Sequence, residues 1–327
     1  MKTYSEDEKS EAMKLYEEGK TKRQIAKILG RTFNGVKGLL NRLRKEGALN
    51  IKRGEIFVPS EDSCELVSTD LKLFNETELK REREYIHSKF DDKRAKKILN
   101  ISDLHIPFHN HNLVKAALKN PADICVVSGD LLDLYSISTF QKDKLIPLQR
   151  ELSDGASILR MLSDLYPHVV ILLANHEKRL LKLLQNKFYD HPELIEVFKK
   201  ATNIIENMAS PYGNIDVVNN WWIKIGEVIF AHPDYYSQVR VKTVQNSYEF
   251  FTSIGEDFSA VINAHTHHLS KIIYFRKLLI ENPCLCHVMD YMLNGHRKNA
   301  EWICGYSLIN LGKDGAADFN STNPYIL

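Results

Sequence analysis

From residue 97 onward, short apolar runs repeatedly deliver an Asp, Asn or His at their C-terminal end. Ile98 to Ser102 runs into Asp103-Leu104-His105, and Ile124 to Val127 into Ser128-Gly129-Asp130. Val169 to Leu173 runs into Ala174-Asn175-His176-Glu177. Val228 to Phe230 runs into Ala231-His232, and Ala260 to Ile262 into Asn263-Ala264-His265-Thr266-His267. Runs of this length and branching read as buried strands. In an α/β sheet, the C-terminal tips of the strands are where sites are built. Each ending has an ordinary explanation by itself: an Asp after Gly often marks a turn, and a His after a strand is often a hydrogen-bonded surface or core group. Their repetition is the constraint, because the fold must gather these side chains at strand tips. Carboxylate, carboxamide and imidazole are ligands for hard and borderline divalent ions. The absence of cysteine among them argues against a structural zinc site.

The chain divides by charge. Its 44 Lys/Arg and 42 Asp/Glu give a net charge of +2, but residues 1–54 hold 14 basic and 7 acidic residues. Between Lys20 and Gly54 there are 11 basic residues and a single acid, Glu46. That block suits a polyanion, or else a solvated charged face. No run approaches the roughly 18 apolar residues of a membrane span. The N-terminus lacks the apolar core of a secretory signal, so a cytoplasmic protein without a membrane partner is expected. Five cysteines fit no disulfide framework or zinc spacing, and Cys284 and Cys286 read as alternating strand positions.

Residues 5–47 read as three short helices. Ser5 with Glu8, and Thr21 with Gln24, form capping boxes, and Thr32 caps the third helix. Ala12, Met13, Leu15 and Tyr16 give the first apolar stripe, and Ile25, Ala26, Ile28 and Leu29 the second. Val36, Leu39, Leu40 and Leu43 give the third. Gly19 and Gly30 stop the first two helices. The tight step from Leu29 through Gly30 to Thr32 resembles a helix-turn-helix. That resemblance implies that the third helix enters a DNA major groove with Asn34, Lys37, Asn41 and Arg42 exposed. A three-helix bundle for protein contacts is the alternative. Gly35 and Gly38 weaken the third helix. Asn50 to Val58 suggests a wing-like hairpin, and Glu76 to Lys97 a charged connecting helix. The expected organisation is 1–54 helix-turn-helix, 55–96 linker and 97–327 site-bearing domain.

The order Asp-x-His, Gly-Asp, Asn-His-Glu, His, His-x-His resembles the signature of calcineurin-like metallophosphoesterases. The resemblance implies an α/β four-layer sandwich, with two mixed β-sheets flanked by helices, beside the small all-α helix-turn-helix domain. It implies two divalent metal ions, manganese first, with iron, zinc or nickel as alternatives. One would be held by Asp103, His105 and His267, the other by Asn175, His232 and His265, with Asp130 shared. It makes His176, with Asp130, catalytic: His176 stabilises the phosphoryl oxygens or protonates the leaving group. Glu177 and Asp133 would support these residues from behind. His109 and Arg179 are candidates for substrate contact or for supporting and surface roles. The family usually has glycine where Ala174 and Ala264 stand here, and glycine there permits close approach or unusual dihedrals.

Gly129-Asp-Leu-Leu-Asp133 is followed by Leu134-Tyr135, unlike protein Ser/Thr phosphatases. The stretches 103–109 and 129–138 are similar to metallophosphoesterases of bacteriophages and prophages, which would place the protein in a bacterial host's cytoplasm. Lys178 to Pro211 reads as helices with Leu180, Leu181, Leu183 and Leu184 as core, and Trp221 and Trp222 could stack a base or pack in the core. The leading expectation is a two-metal phosphodiesterase or nuclease acting on DNA, with a homodimer open. The alternatives are a small-nucleotide phosphatase or phosphodiesterase, and a DNA-binding regulator whose phosphoesterase domain is structural.

Overall fold

The computed structural model describes residues 4–17, 20, 22–45, 96–139, 142, 145–191, 193–195, 198, 202–289 and 302–327. The chain separates into two units, Met1–Leu73 and Phe74–Leu327. The hairpin expected over 50–58 lies outside the described residues. So does the charged helix expected over 76–97, except at its end, where Lys97 begins a strand.

The first unit carries α1 (Glu6–Glu17), α2 (Lys22–Ile28) and α3 (Phe33–Lys45). The Ser5 capping box forms: Glu8 N–H donates to Ser5 Oγ at 3.2 Å, and Ser5 N–H to Glu8 Oε2 at 3.0 Å. Arg31 then grips the same carboxylate in two-pronged fashion, Nε to Oε1 at 2.8 Å and Nη2 to Oε2 at 2.7 Å. Gly30, at φ 59°, closes α2. Arg31 N–H reaches Ala26 O and Gly30 N–H reaches Lys27 O, the paired bonds of a Schellman motif. Thr32 Oγ1 accepts from Gly35 N–H at 3.2 Å. Ala12, Leu15, Ile25, Ala26, Val36, Leu39, Leu40 and Leu43 are the buried core. Each Leu, Ile or Val buried there contributes about 1.5–3 kcal/mol.

Two expectations need amendment. Ile28 does not face inward but is 55% exposed, because α2 ends there and only two of its apolar positions meet the core. Thr21 lies outside the described residues, so its capping box does too. Gly35 has a steric reason in α3, since a Cβ there would sit 2.5 Å from the Tyr4 hydroxyl.

The second unit contains two mixed sheets. The first has β1 (Lys97–Ile101), β2 (Ile124–Val127), β3 (His168–Leu172) and β4 (Ile215–Val218) in parallel. Antiparallel to β1 runs β10 (Gly305–Asn310), followed by β11 (Asn323–Ile326). The second has β6 (Val228–Ala231), β7 (Ala260–Asn263) and β9 (Lys277–Glu281) in parallel, edged by antiparallel β5 (Trp222–Ile225) and β8 (Ser270–Tyr274). The five strands read from the sequence are β1, β2, β3, β6 and β7, each within one residue of its expected ends.

Three clusters define the layers. Ile98, Ile124, Val126, Val170 and Leu172 of the first sheet meet Ile223, Val228, Phe230, Ile262 and Ile280 of the second. The outer face of the first sheet packs on α4 (His111–Leu118) and α5 (Leu148–Leu165) through Val114, Ala117, Ile158, Leu159 and Leu162. The outer face of the second packs on α8 (Lys242–Ser253) through Val244 and Phe251. Strands covered on both faces are apolar at most positions, which is why they read as runs and not as alternation. Between β3 and β4 lie α6 (Arg179–Lys187) and α7 (Ile204–Ala209). The leucines of α6 are not core as expected: no residue of that helix is fully buried, and Leu183 is 37% exposed. Cys284 and Cys286 lie in single bridges outside the named strands.

Candidate metal centre

The tips of β1, β2 and β3 are tied together before any side chain is considered. Asp103 N–H donates to Gly129 O, His105 N–H to Asp130 O and Ile106 N–H to Leu131 O, while Asp133 N–H returns to Ile106 O. Gly129, at φ 83°, allows this approach. A Cβ there would lie 2.6 Å from the Cβ of Ala174 and 2.6 Å from Nδ1 of His232. The glycine of Gly-Asp is therefore a steric requirement. Ala174 and Ala264 are buried and keep negative φ. Alanine meets no backbone strain at the two positions where the family usually has glycine.

Five of the candidate ligands hold left-handed backbones: Asp103 at φ 53°, His105 at 47°, Asp130 at 52°, His265 at 78° and His267 at 56°. Each costs on the order of 1–3 kcal/mol and persists where surrounding structure over-determines it. Here the strain turns side chains inward from strand tips. His105 Nε2 lies 3.2 Å from His267 Nε2, 4.0 Å from Asp103 Oδ1 and 3.7 Å from Asp130 Oδ2, and His267 Nε2 lies 3.2 Å from Asp103 Oδ1. On the other side of Asp130, its Oδ2 lies 3.3 Å from His232 Nε2, which faces His265 Nδ1 at 3.1 Å. Two groups of donors thus share one carboxylate oxygen.

The tautomers suit a cation. His105 Nδ1 donates to Asp133 Oδ1 at 3.0 Å, and His232 Nδ1 to Ser128 O at 2.7 Å, so each Nε2 is turned inward as an acceptor. Asn175 Oδ1 is a buried acceptor without a hydrogen-bond partner, and Asp103 Oδ1 has the His267 ring at 3.2 Å. An unmet buried oxygen is costly, and a divalent ion beside it would satisfy it. Asp130 with His232 and His265, and His105 with Asp130 and His176, bring their ligand atoms within 4.8 Å of one another. The donor set therefore fits the two ions that the motif implies.

Charge pairing is strong. Burial alone would lower the histidines, yet Asp103 holds His267 at about 10 and Asp130 holds His232 at about 9. His265, buried and beside His232, falls to about 4. Burial would raise Asp103 and Asp130, but the histidines hold both below the usual carboxylate range.

His176 lies beside this cluster. Its Nδ1 meets Asp133 O at 3.1 Å and Asp133 Oδ1 at 3.0 Å, and its Nε2 is 3.8 Å from Asp130 Oδ2. Burial would lower its pKa, but Asp130 and Asp133 raise it. Arg179 Nη1 donates to Asp133 O at 2.6 Å, and its Nη2 lies 3.1 Å from His176 Nε2. Asp133 thus receives His105, His176 and Arg179 together. Glu177 gives its support through the backbone. Its carboxylate accepts from Leu132 N–H at 3.1 Å and Ala174 N–H at 3.0 Å, bracing the loops that carry Asp130 and Asn175, and burial lifts it to about 6. His109 is buried, its Nε2 3.1 Å from Nδ1 of His111.

Several residues gave no signal in the sequence. Glu151 of α5 accepts from Tyr135 and Ser136 N–H, each at 3.0 Å, fixing the turn after Asp133, and burial pushes it up to about 7. Cys286 Sγ lies 4.0 Å from His267 Nδ1, the nitrogen turned away from Asp103. Of the expected DNA-facing residues, Lys37 and Arg42 are exposed, and the side chains of Asn34 and Asn41 lie outside the description.

Residues 96–296 match the family profile of calcineurin-like phosphoesterases. No curated protein matches in sequence. Among solved structures, an archaeal phosphodiesterase is similar at 11% identity and TM-score 0.36, over 71% of this chain and 99% of that one. Vacuolar protein sorting 29 from Cryptosporidium parvum is similar at 13% identity and TM-score 0.37, over 71% and 97%. A metallophosphoesterase from Sphaerobacter thermophilus is similar at 12% identity and TM-score 0.37, over 70% and 88%. Superposition at that level says nothing about activity in this chain.

Proposed function

The chain belongs to the calcineurin-like phosphoesterase family, and from that premise we propose that it hydrolyses phosphodiester bonds in DNA, with the N-terminal helices holding it on the nucleic acid. The observation that carries the nucleic-acid part is the charge of the first unit, 11 basic residues against one acid between Lys20 and Gly54. Lys37 and Arg42 stand exposed on α3, where a helix-turn-helix presents its reading face. A bacteriophage origin and action in a host cytoplasm belong to the same proposal and rest on motif likeness.

Asp103, His105 and His267 would hold one divalent ion, Asn175, His232 and His265 a second, and Asp130 both, with manganese first in order. When bound, such ions polarise the phosphoryl oxygens and lower the pKa of the attacking water. The chain's own residues do the rest. Asp133 fixes the proton of His105 on Nδ1 and orients His176 and Arg179 side by side. His176, its pKa raised by two carboxylates, would donate from Nε2 to the departing oxygen once Arg179 Nη2, here 3.1 Å from that nitrogen, has turned to the phosphoryl oxygens. Arg179 then offers a second donor to those oxygens. Both side chains are anchored through Asp133.

The deciding experiment is cleavage of single- and double-stranded DNA beside bis(p-nitrophenyl) phosphate, with manganese present. Wild type should cut both classes, and Asp130→Ala neither. Deleting residues 1–54 should weaken DNA binding and flatten its salt dependence while sparing the small diester. Hydrolysis of the small ester with DNA untouched would sink the nuclease reading in favour of a small-nucleotide enzyme. Inactivity on both would favour a DNA-binding regulator.

A further inference from the structure

The tryptophans that the sequence offers as a stacking platform are taken up by the core. Trp222 is 4% exposed, and Trp221 stacks on Phe251 at 5.4 Å with an interplanar angle of 21°. A wholly buried acid, Glu151 of α5, leaves more to explain.

The chain leaves Asp133 through a conformation that a leucine rarely adopts. Leu134 holds φ 49° and ψ 45° and is fully buried. At a bulky side chain that geometry is strained, and it persists only where the surroundings impose it. On its near side, Asp133 shows both its carbonyl and its carboxylate to the same two neighbours. The carbonyl accepts from Arg179 Nη1 at 2.6 Å and lies 3.1 Å from His176 Nδ1. The carboxylate lies 3.0 Å from His176 Nδ1 and 3.2 Å from Arg179 Nη1. On the far side, a short 3-10 turn, Tyr135–Ile137, begins at once. Its leading N–H groups have no local acceptor, because the leucine at the capping position has no side-chain oxygen.

Glu151 supplies the missing cap from another element. Tyr135 N–H donates to its Oε2 and Ser136 N–H to its Oε1, each at 3.0 Å. A cap needs one acceptor, and glutamine would provide it without burying a charge. The carboxylate provides two, one oxygen for each N–H, and so fixes the direction of the turn as well as its position. In glutamine the second N–H would face an amide NH2. Keeping the charge is costly: burial, with Asp133 adding to it, pushes Glu151 up to about 7 although both N–H groups and Arg179 oppose the rise. Costly buried charges gather where a site needs them. The turn that this one steadies begins beside the residue on which His105, His176 and Arg179 converge.

We propose that Glu151 is a positioning residue for His176: by holding the two N–H groups that follow Leu134, it keeps Asp133 turned toward His176 and so aims the proton donor at the leaving group. This rests on the phosphoesterase reading and on the acid role of His176 given above. Glu151 acts at two removes, through backbone N–H groups and then through Asp133.

The test is a double-mutant cycle that joins Glu151→Gln to His176→Ala in the manganese-loaded full chain, at about pH 8, where Glu151 is ionised. A thymidine dinucleotide, whose alkoxide must take a proton to leave, is compared with bis(p-nitrophenyl) phosphate, whose leaving group needs none. Glu151→Gln should lower kcat on the dinucleotide about ten- to a hundred-fold, the scale of a misplaced catalytic group, with KM little changed. The small ester should lose less than about three-fold. Added to His176→Ala, the same change should cost almost nothing further, because both act on one step. Metal content should match wild type in every variant. An undiminished dinucleotide rate, equal losses on the two esters, a fully multiplied loss in the double variant or a loss of metal in Glu151→Gln would each overturn the positioning role. His176→Ala by itself separates that failure from a deeper one: if it spares the dinucleotide, the acid role of His176 fails and takes this inference with it. If wild type cuts neither ester, the phosphoesterase reading fails first.

Discussion

The N-terminal helices and the ligand loops of the sandwich treat their backbones in opposite ways. In the helices every visible terminus obeys local rules. Ser5 and Glu8 cap each other, Thr32 caps α3, and a glycine takes the left-handed position after α2. The partly exposed Glu8 is matched by Arg31. In the ligand loops, Asp103, His105, Asp130, His265 and His267 occupy left-handed conformations without being glycine, and Asn175 keeps a buried oxygen unmatched. The first region is arranged for its own stability. The second is arranged to gather ligand atoms, and the apolar layers around it offset the strain.

That contrast can be broken at three points, in order of size. The largest effect belongs to His176. His176→Ala should lower kcat about a hundred-fold on a diester with a poor alkoxide leaving group, and much less with p-nitrophenolate, which needs no proton to depart. Equal losses on both would remove the acid role and leave only positioning.

Next comes the pH response of the metal-free chain. His232 and His267 are held at about 9 and about 10 by Asp130 and Asp103, against roughly 6.5 when unfolded. Raised pKa values mean that this stabilisation is fully present below about 6.5 and is lost as pH rises through 9 to 10. Unfolding free energies of chelator-treated protein, read from urea titrations, should therefore fall between pH 7 and pH 10, by up to a few kcal/mol. Loading with manganese should abolish the trend, because the ions displace those protons. A flat profile without metal would mean that the Asp–His pairs do not form before the ions arrive.

The smallest effect lies in the helices. Ser5→Ala should cost about 1 kcal/mol, read as roughly five-fold faster hydrogen exchange in α1 of the full chain. Phosphoester hydrolysis should not change.

The same contrast explains what could be read beforehand. Strands β1, β2, β3, β6 and β7 and their tip residues are local patterns, so their ends and chemistry stand in the sequence. The pairing of β1 with β10 joins Lys97 to Asn310, and nothing local announces it. Edge strand β8 alternates between exposed and half-buried positions, which is weak evidence within a short segment. The leucines of α6 mark an apolar face but not what that face meets. Glu151 and Cys286 act through neighbours distant in sequence, and each looks ordinary alone. Left-handed φ at an Asp or His has no composition signal, because the surrounding hydrogen bonds impose it.

The candidate ligands come from the tips of β1, β2 and β3 on one sheet and of β6 and β7 on the other, and the two sheets meet through a largely apolar layer. The cluster is complete only where those sheets have closed on each other. Metal occupancy is therefore a readout of finished assembly, and damage far from the cluster that loosened the sheets would first be felt as a greater demand for metal. Under scarcity, chains with sound chemistry but a slack interior would be left unloaded, and a protease could sort them from their better-packed copies.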